Sequence, residues 1–347
     1  MVDPPLRAAV GSLPDATAEL VEYHFGWRDA AGAPVREYGG KAVRPLLALL
    51  AARAVGAPAA TAVPAAVAVE LVHNFSLVHD DIMDGDRTRR HRATLWSVHG
   101  PGPAILAGDA MLALAYQGIA DDVRATAVLS TAVQRLIDGQ LADLAFERLA
   151  VVTGRDGSAE EARGSFLAGR DGSAEEARGG VTLARCLAMA EAKTGALLAA
   201  ATELGALAGG GSPAACARLS RFGSLAGLAF QFADDLLGIW GDPAVTGKPV
   251  RSDLRAGKKS LPVVAALHSG APAGGRLAEL YTEGGLSEPD ATEAADLIEQ
   301  CGARSWCQDR ADALLDEALR ELSQVEASVP AELELGAVAR LLARRDH

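Results

Sequence analysis

Apolar residues recur every three to four positions through most of this chain, the spacing that gathers them on one face of a helix. The densest run is ELVHNFSLVHDDIMDGDRTRRHRATLW, Glu70 to Trp96, in which Leu71, Val72, Phe75, Leu77, Val78 and Ile82 keep that rhythm. The pattern predicts a helix that ends near Gly85. Further helices are expected from Asp15 to Trp27, Lys41 to Val55, Ile105 to Ala120, Val123 to Leu149, Val181 to Leu207, Ala214 to Trp240 and Leu261 to His268. Residues 1–15 read as a loose arm and Arg28 to Gly40 as turn-rich. After His268, helical patterns alternate with Gly/Pro breaks as far as Arg345. Alternating strand-like runs are rare and aromatics make up only 4%, so the expected class is all-α.

One stretch departs from this rhythm. GRDGSAEEARG occurs at 154–164 and again at 169–179. Solenoid repeats come in larger numbers and carry apolar faces, which this unit lacks. It reads as a duplication inside a surface-loop insertion at about 150–180, within a single domain spanning 1–347.

Composition narrows the function. Apolar residues total 49%, enough for a large core, and the mean hydropathy is +0.13. The formal net charge of −12 argues against nucleic-acid binding, which needs a positive field. Cys186, Cys216, Cys301 and Cys307 form no CxxC pair, so they read as buried free thiols in a reducing cytoplasm, not as a zinc site. The N-terminus lacks a signal-peptide core, and no run of about 18 uncharged apolar residues announces a membrane span.

The chemistry lies in two acidic helix ends. Asp80 and Asp84 are four apart and share a face, with Asp81 about 100° round from Asp80. Carboxylates crowded at a helix C-terminus repel each other and oppose its dipole. A hard divalent cation that keeps waters for a phosphate to displace would compensate them. Arg87, Arg89, Arg90 and Arg92 follow, and arginine forks onto phosphate. Asp234 and Asp235 repeat the arrangement, with Lys248, Lys258 and Lys259 in the next loop. Acids that hold metal beside cations that hold phosphate point to a phosphorylated substrate. Arg87, Arg92 and Lys259 read as surface charges.

The segments GGKAVRP, ELVHNFSLVHDDIMDGDRTRRHRATLW, GQLADLAFE, AEAKTGALL, FQFADDLLGIWGD, TGKP and SDLRAGKKSLP stand in one order between Gly39 and about Leu267. Together they resemble the trans-isoprenyl diphosphate synthase (polyprenyl synthetase) family. The resemblance implies an isoprenoid-synthase-type helical bundle around a central cavity. It implies prenyl chain elongation, in which isopentenyl diphosphate is condensed with an allylic diphosphate and diphosphate is released. Asp80 and Asp84 would bind Mg²⁺ with Asp81 in support, and Asp234 would bind a further ion with Asp235 nearby, three ions in all. Arg89, Lys193, Lys248 and Lys258 would grip the allylic diphosphate. Lys41, Arg44, His73 and Arg90 would hold isopentenyl diphosphate. Gln140, Asp143, Thr194 and Gln231 would line the space between, with Lys193 and Gln231 counted among the catalytic groups. Family members are commonly homodimers.

Two positions refine the expectation. The family's second acidic motif usually has another Asp where this chain has Gly238, so a raised Mg²⁺ requirement is expected, eased by Gly238→Asp. Phe75 lies five residues before Asp80, roughly 7.5 Å down the axis at 1.5 Å per residue. An aromatic there beside the small Ser76 resembles the C20-forming type and points to geranylgeranyl diphosphate. The rival readings are a farnesyl or other chain-length synthase, a silent partner subunit, a class I terpene cyclase, an HD-type phosphohydrolase and a di-iron bundle. The cyclase reading lacks its Asn/Ser/Glu triad, and the di-iron reading lacks a second Glu-x-x-His.

Overall fold

In the computed structural model, residues 1–35, 42–148, 181–243, 249–282 and 285–343 are described. Lys41, Lys248 and the duplicated segment lie outside them. The chain divides into two compact units: residues 1–134, 196–224 and 318–339 form the first, and residues 135–195, 225–317 and 340–347 the second.

The first unit opens on α1 (Asp3–Val10) and α2 (Asp15–Phe25). The loose arm expected over residues 1–15 is therefore a helix. Pro4 and Pro5 open it, where their missing amides cost nothing, and Leu6 and Val10 bury one face. Next come α3 (Val43–Ala54), a 3₁₀ turn (Ala59–Ala62) and α4 (Val63–Met83). A two-stranded ribbon, β1 (Thr88–Arg89) with β2 (Arg92–Ala93), separates α4 from α5 (Leu95–His99) and α6 (Pro101–Gln117). Helix α6 starts four residues before the expected Ile105, because Pro101 fits its first turn. Helix α4 packs against α3 and α6. By length and composition it could cross a membrane, but two-thirds of that stretch is buried inside the protein, as in a core helix.

Helix α7 (Val123–Arg148) is followed, after the insertion, by α8 (Leu183–Ala190), a π-helical turn (Glu191–Gly195) and α9 (Ala196–Ala208). The single helix expected from Val181 to Leu207 is thus two helices joined through a wider turn. Helix α9 returns to the first unit and packs on α3. A Cβ on Gly205 would lie 2.0 Å from the carbonyl oxygen of Ala48, so the two backbones meet where only glycine fits. Helix α10 (Pro213–Trp240) buries Phe222 and Phe232 completely.

In the second unit, α11 (Ser252–Arg255), α12 (Leu261–Leu267), α13 (Pro272–Leu280) and α14 (Glu288–Gln300) enclose a core of Ile239, Leu254, Val263, Leu277 and Ile298. Helices α15 (Ala303–Ser323) and α16 (Val329–Ala343) complete the described chain. The four cysteines are unpaired, and only Cys301 is not fully buried.

Candidate active site

In the first unit, the last turns of α4 divide the acids by environment. Asp81 is only 2% exposed, and its Oδ1 accepts a hydrogen bond from Nε of Arg89 at 2.7 Å. Burial pushes its carboxyl up to about 6, against the pull of the Arg89 guanidinium. Asp80 is half-buried and Asp84 exposed, one turn apart at the end of the helix. One acid is tied to the scaffold, and two stand together on the more open side.

The ribbon after α4 turns through Arg90 and His91, whose φ angles are 51° and 61°. Left-handed backbone at both central residues is the geometry of a type I′ hairpin, usually supplied by Asn-Gly. Arg and His adopt it at a cost of roughly 1–2 kcal/mol each. Arg92 clamps the ribbon to α2. Its Nη2 donates to the carbonyl oxygens of Tyr23 and Arg28, both at 3.1 Å, and its guanidinium lies 4.8 Å from the Tyr23 ring centre. The Tyr23 hydroxyl answers by donating to the carbonyl of Ala93 at 2.7 Å. Arg92 is a structural tie, not the solvated charge expected.

The same unit brings Arg44, His73, Arg89 and Arg90 into one electrostatic group. Burial, then Arg44, Arg90 and Arg89, hold His73 well below the usual histidine range, so it is neutral. A second histidine, His24 on α2, joins them. Burial lowers it to about 4, with Arg89, Arg90 and Arg92 adding to the effect. Its Nε2 lies 3.0 Å from Oδ1 of Asn74, whose Nδ2 donates to the carbonyl and Oε1 of Glu70. Arginines gathered around neutral imidazoles suit a bound anion. His24 and Asn74 were missed in the sequence, where they belong to no acid or arginine run.

In the second unit, Lys193 and Thr194 sit on the π-helical turn. Lys193 Nζ pairs with Asp143 Oδ2 at 2.6 Å. Thr194 Oγ1 donates to Gln231 Oε1 at 2.6 Å, and Gln231 Nε2 donates to Asp235 Oδ1 at 2.7 Å. The other oxygen of Asp235 accepts the amide of Leu261 at 2.8 Å. Burial pushes Asp235 up to about 7, while these two bonds pull it down. Asp234 beside it is exposed. Gln140 is 6% exposed, and its Nε2 has no hydrogen-bond partner among the described residues. Lys258 is half-buried. Lys259, expected to be solvated, donates to the carbonyl of Phe146 at 2.7 Å.

Gly238 lies one turn beyond Asp234. A Cβ there would come within 2.1 Å of Oδ2 of Asp253. An aspartate at 238 would meet the tip of the Asp253 side chain, which would have to swing aside to admit it.

Among the described residues, no three His, Cys, Asp or Glu side chains form a ready-made metal cage. The donors nonetheless fit a hard cation bound by one or two carboxylates and completed by water and phosphate oxygens, the usual habit of Mg²⁺.

Comparison with known proteins agrees with this chemistry. The pattern of the polyprenyl synthetase family matches residues 29–298. A (2E,6E)-farnesyl diphosphate synthase of Mycobacterium tuberculosis is 41% identical over 315 residues, covering 88% of this chain and 80% of that protein. A geranylgeranyl diphosphate synthase of the same organism is 39% identical over 350 residues, covering 99% of this chain and 91% of the relative. A crystal structure of a polyprenyl synthetase from Streptomyces coelicolor A3(2) superposes with a TM-score of 0.84 at 44% identity, covering 98% of this chain and 96% of that one. A geranylgeranyl diphosphate synthase from Corynebacterium glutamicum, solved with isoprenyl diphosphate and magnesium, matches with a TM-score of 0.75 at 25% identity, covering 99% of this chain and 98% of that one. The chain belongs to the polyprenyl synthetase family and is a prenyltransferase with that family's all-helical fold.

Proposed function

We propose that this chain condenses isopentenyl diphosphate with an allylic diphosphate in a Mg²⁺-dependent reaction, giving mainly geranylgeranyl diphosphate and releasing diphosphate. The observation that carries the reading is the division within each acid pair. Asp81 and Asp235 are buried and bonded to the scaffold, while Asp80, Asp84 and Asp234 are the more open carboxylates. Those three would hold Mg²⁺, with three ions in all. When bound, the ions supply charge to stabilise a departing diphosphate.

The chain's own residues do the rest. Arg44, Arg90 and neutral His73, with Lys41, hold the diphosphate of isopentenyl diphosphate. Lys193, Lys248 and Lys258 bind the allylic diphosphate. Arg89 assists them while anchoring Asp81. Gln140, Asp143, Thr194 and Gln231 line the reacting carbons, and Gln140 has a donor to spare. The allylic C–O bond breaks, the isopentenyl double bond attacks the allylic carbon, and the released diphosphate accepts the proton that leaves. Holding both partners in place supplies the entropic part of the rate gain. We read the working form as a homodimer in the cytoplasm, following the family resemblance.

Product length rests on Phe75. It is 7% exposed, and its ring meets His79 edge-on with centres 4.8 Å apart. Ser76 adds no bulk and turns its hydroxyl back onto the His73 carbonyl. A braced aromatic ring suits a fixed floor to the tail-binding space. The geranylgeranyl-forming relative, matched along 99% of this chain, supports C20. The 41% identity to a farnesyl-forming relative favours C15 as the second reading. The test is to incubate the purified protein with Mg²⁺, isopentenyl diphosphate and, in turn, dimethylallyl, geranyl and farnesyl diphosphate. A C20 product supports the proposal, and a product that stops at C15 replaces it with the second reading. Hydrocarbon, bare phosphate release or inertness would point to a cyclase, a hydrolase or a silent subunit.

A further inference from the structure

Within the second unit, three positions of α7 face the π-helical turn, each four residues from the next: Arg135, Gly139 and Asp143. Arg135 Nη2 lies 3.1 Å from Oε1 of Glu191, the first residue of the turn. At Gly139 the two backbones meet. A Cβ there would lie 2.4 Å from the nitrogen of Lys193 and 2.8 Å from its Cα, and backbone atoms cannot swing aside as a side-chain tip can. Asp143 Oδ2 takes the Lys193 ammonium at 2.6 Å. One ridge of α7 thus holds the turn at its start, at the backbone of Lys193 and at the Lys193 side chain.

Neither Arg135 nor Glu191 takes part in the proposed reaction, yet their pairing is built with care. Glu191 is only 7% exposed, and a carboxylate so far from water is costly unless a cation answers it. The Arg135 side chain is 43% exposed, so its guanidinium answers the acid while giving up little of its own hydration. The turn itself is a rare winding, of the kind that marks functional sites in helices. From its far side, Thr194 Oγ1 donates to Gln231 on α10, and Gln231 donates to Asp235. A displacement that begins at Glu191 therefore passes to Lys193 and Thr194 together.

We propose that Arg135 and Glu191 are positioning residues for the allylic diphosphate: their ion pair latches the π-helical turn to α7 and so fixes the direction in which Lys193 reaches. They act through the backbone of the turn and touch no substrate. This rests on the reading of Lys193 as a group that binds the allylic diphosphate.

The test is steady-state elongation by the full-length protein, with geranyl diphosphate and isopentenyl diphosphate varied in turn, and thermal unfolding alongside. Arg135→Gln keeps the length of the side chain and removes its charge. It should raise KM for geranyl diphosphate about tenfold, a modest share of what a displaced binding group can cost. KM for isopentenyl diphosphate and the melting temperature should stay near the wild-type values. Arg135→Lys, which keeps the cation, should recover most of the loss. Glu191→Gln should show the same selective rise, and the double variant Arg135→Gln/Glu191→Gln should be no worse than either single one, because all three lose one interaction. An unchanged KM for geranyl diphosphate in Arg135→Gln overturns the proposal, as do an equal rise in both KM values or losses that multiply in the double variant. Lys193→Ala separates the two readings. If it leaves KM for geranyl diphosphate unchanged, the reading of Lys193 fails; if it raises KM while Arg135→Gln does not, the latch alone is wrong.

Discussion

The carboxylate of Asp235 holds the backbone amide of Leu261 at 2.8 Å, joining the end of α10 to the first turn of α12. The first amides of a helix have no partner within it, and here a buried acid from another helix provides one. With Gln231 on its other oxygen, Asp235 is fully engaged in structure. Asp235→Ala should therefore cost about 2–4 kcal/mol in urea unfolding, by stranding the buried Leu261 amide and the half-buried Gln231 side-chain amide. Asp234→Ala, at an exposed position, should leave unfolding nearly unchanged while reducing elongation by on the order of 10² to 10³. Equal loss of stability in both variants would contradict this division.

Gly139 is the point at which α7 meets the π-helical turn. A Cβ there would lie 2.4 Å from the backbone nitrogen of Lys193. Gly139→Ala should force the segments apart, disturb the Lys193–Asp143 pair and lower stability by about 1–3 kcal/mol, the usual cost of overpacking. Gly118→Ala is a fair control, because the nearest atom to its Cβ is a carbonyl oxygen at 3.5 Å. Elongation kinetics and thermal melts of the two variants should diverge clearly.

His24 gives a pH signature. Its folded value of about 4 lies below the ordinary 6.5. Between those values the unfolded chain takes up a proton that the folded chain refuses. Its contribution to stability is therefore complete above about 6.5 and is lost as the pH falls toward 4. His24→Gln, which can still donate to Asn74, should flatten the fall in melting temperature across that window relative to wild type. Parallel curves for the two proteins would rule His24 out as a contributor.

Phe75 fixes product length in the proposed reading. Phe75→Ala should shift the main product beyond C20, as resolved by chromatography of the dephosphorylated alcohols. It should also cost about 3–5 kcal/mol in stability if the space does not collapse. An unchanged C20 product would assign the floor to another residue.

Most long helices were legible because three-to-four spacing is a property of the chain itself. The shorter devices were not. Helix α1 was hidden because two prolines look like a break, although at a helix start they are a fit. The ribbon at Thr88–Ala93 was hidden because its turn is Arg-His, without the glycine or asparagine that usually marks one. The acid runs were plain, but not the division within them: that Asp81 meets Arg89 and Asp235 meets Leu261 depends on contacts 8 and 26 residues apart.

The wide turn at Glu191–Gly195 constrains how this protein can vary. It holds more residues per turn than the helices on either side, so it takes up an extra residue without turning the chain further. Deleting one residue there would let the segment relax to ordinary winding, since four α-helical residues sweep about the same angle as five in the wider turn. Gly205 would still face Ala48. What would change is the aim of Lys193 and Thr194, so a one-residue deletion between Ala190 and Ala196 should spare the helix packing and disturb the side chains of the wide turn.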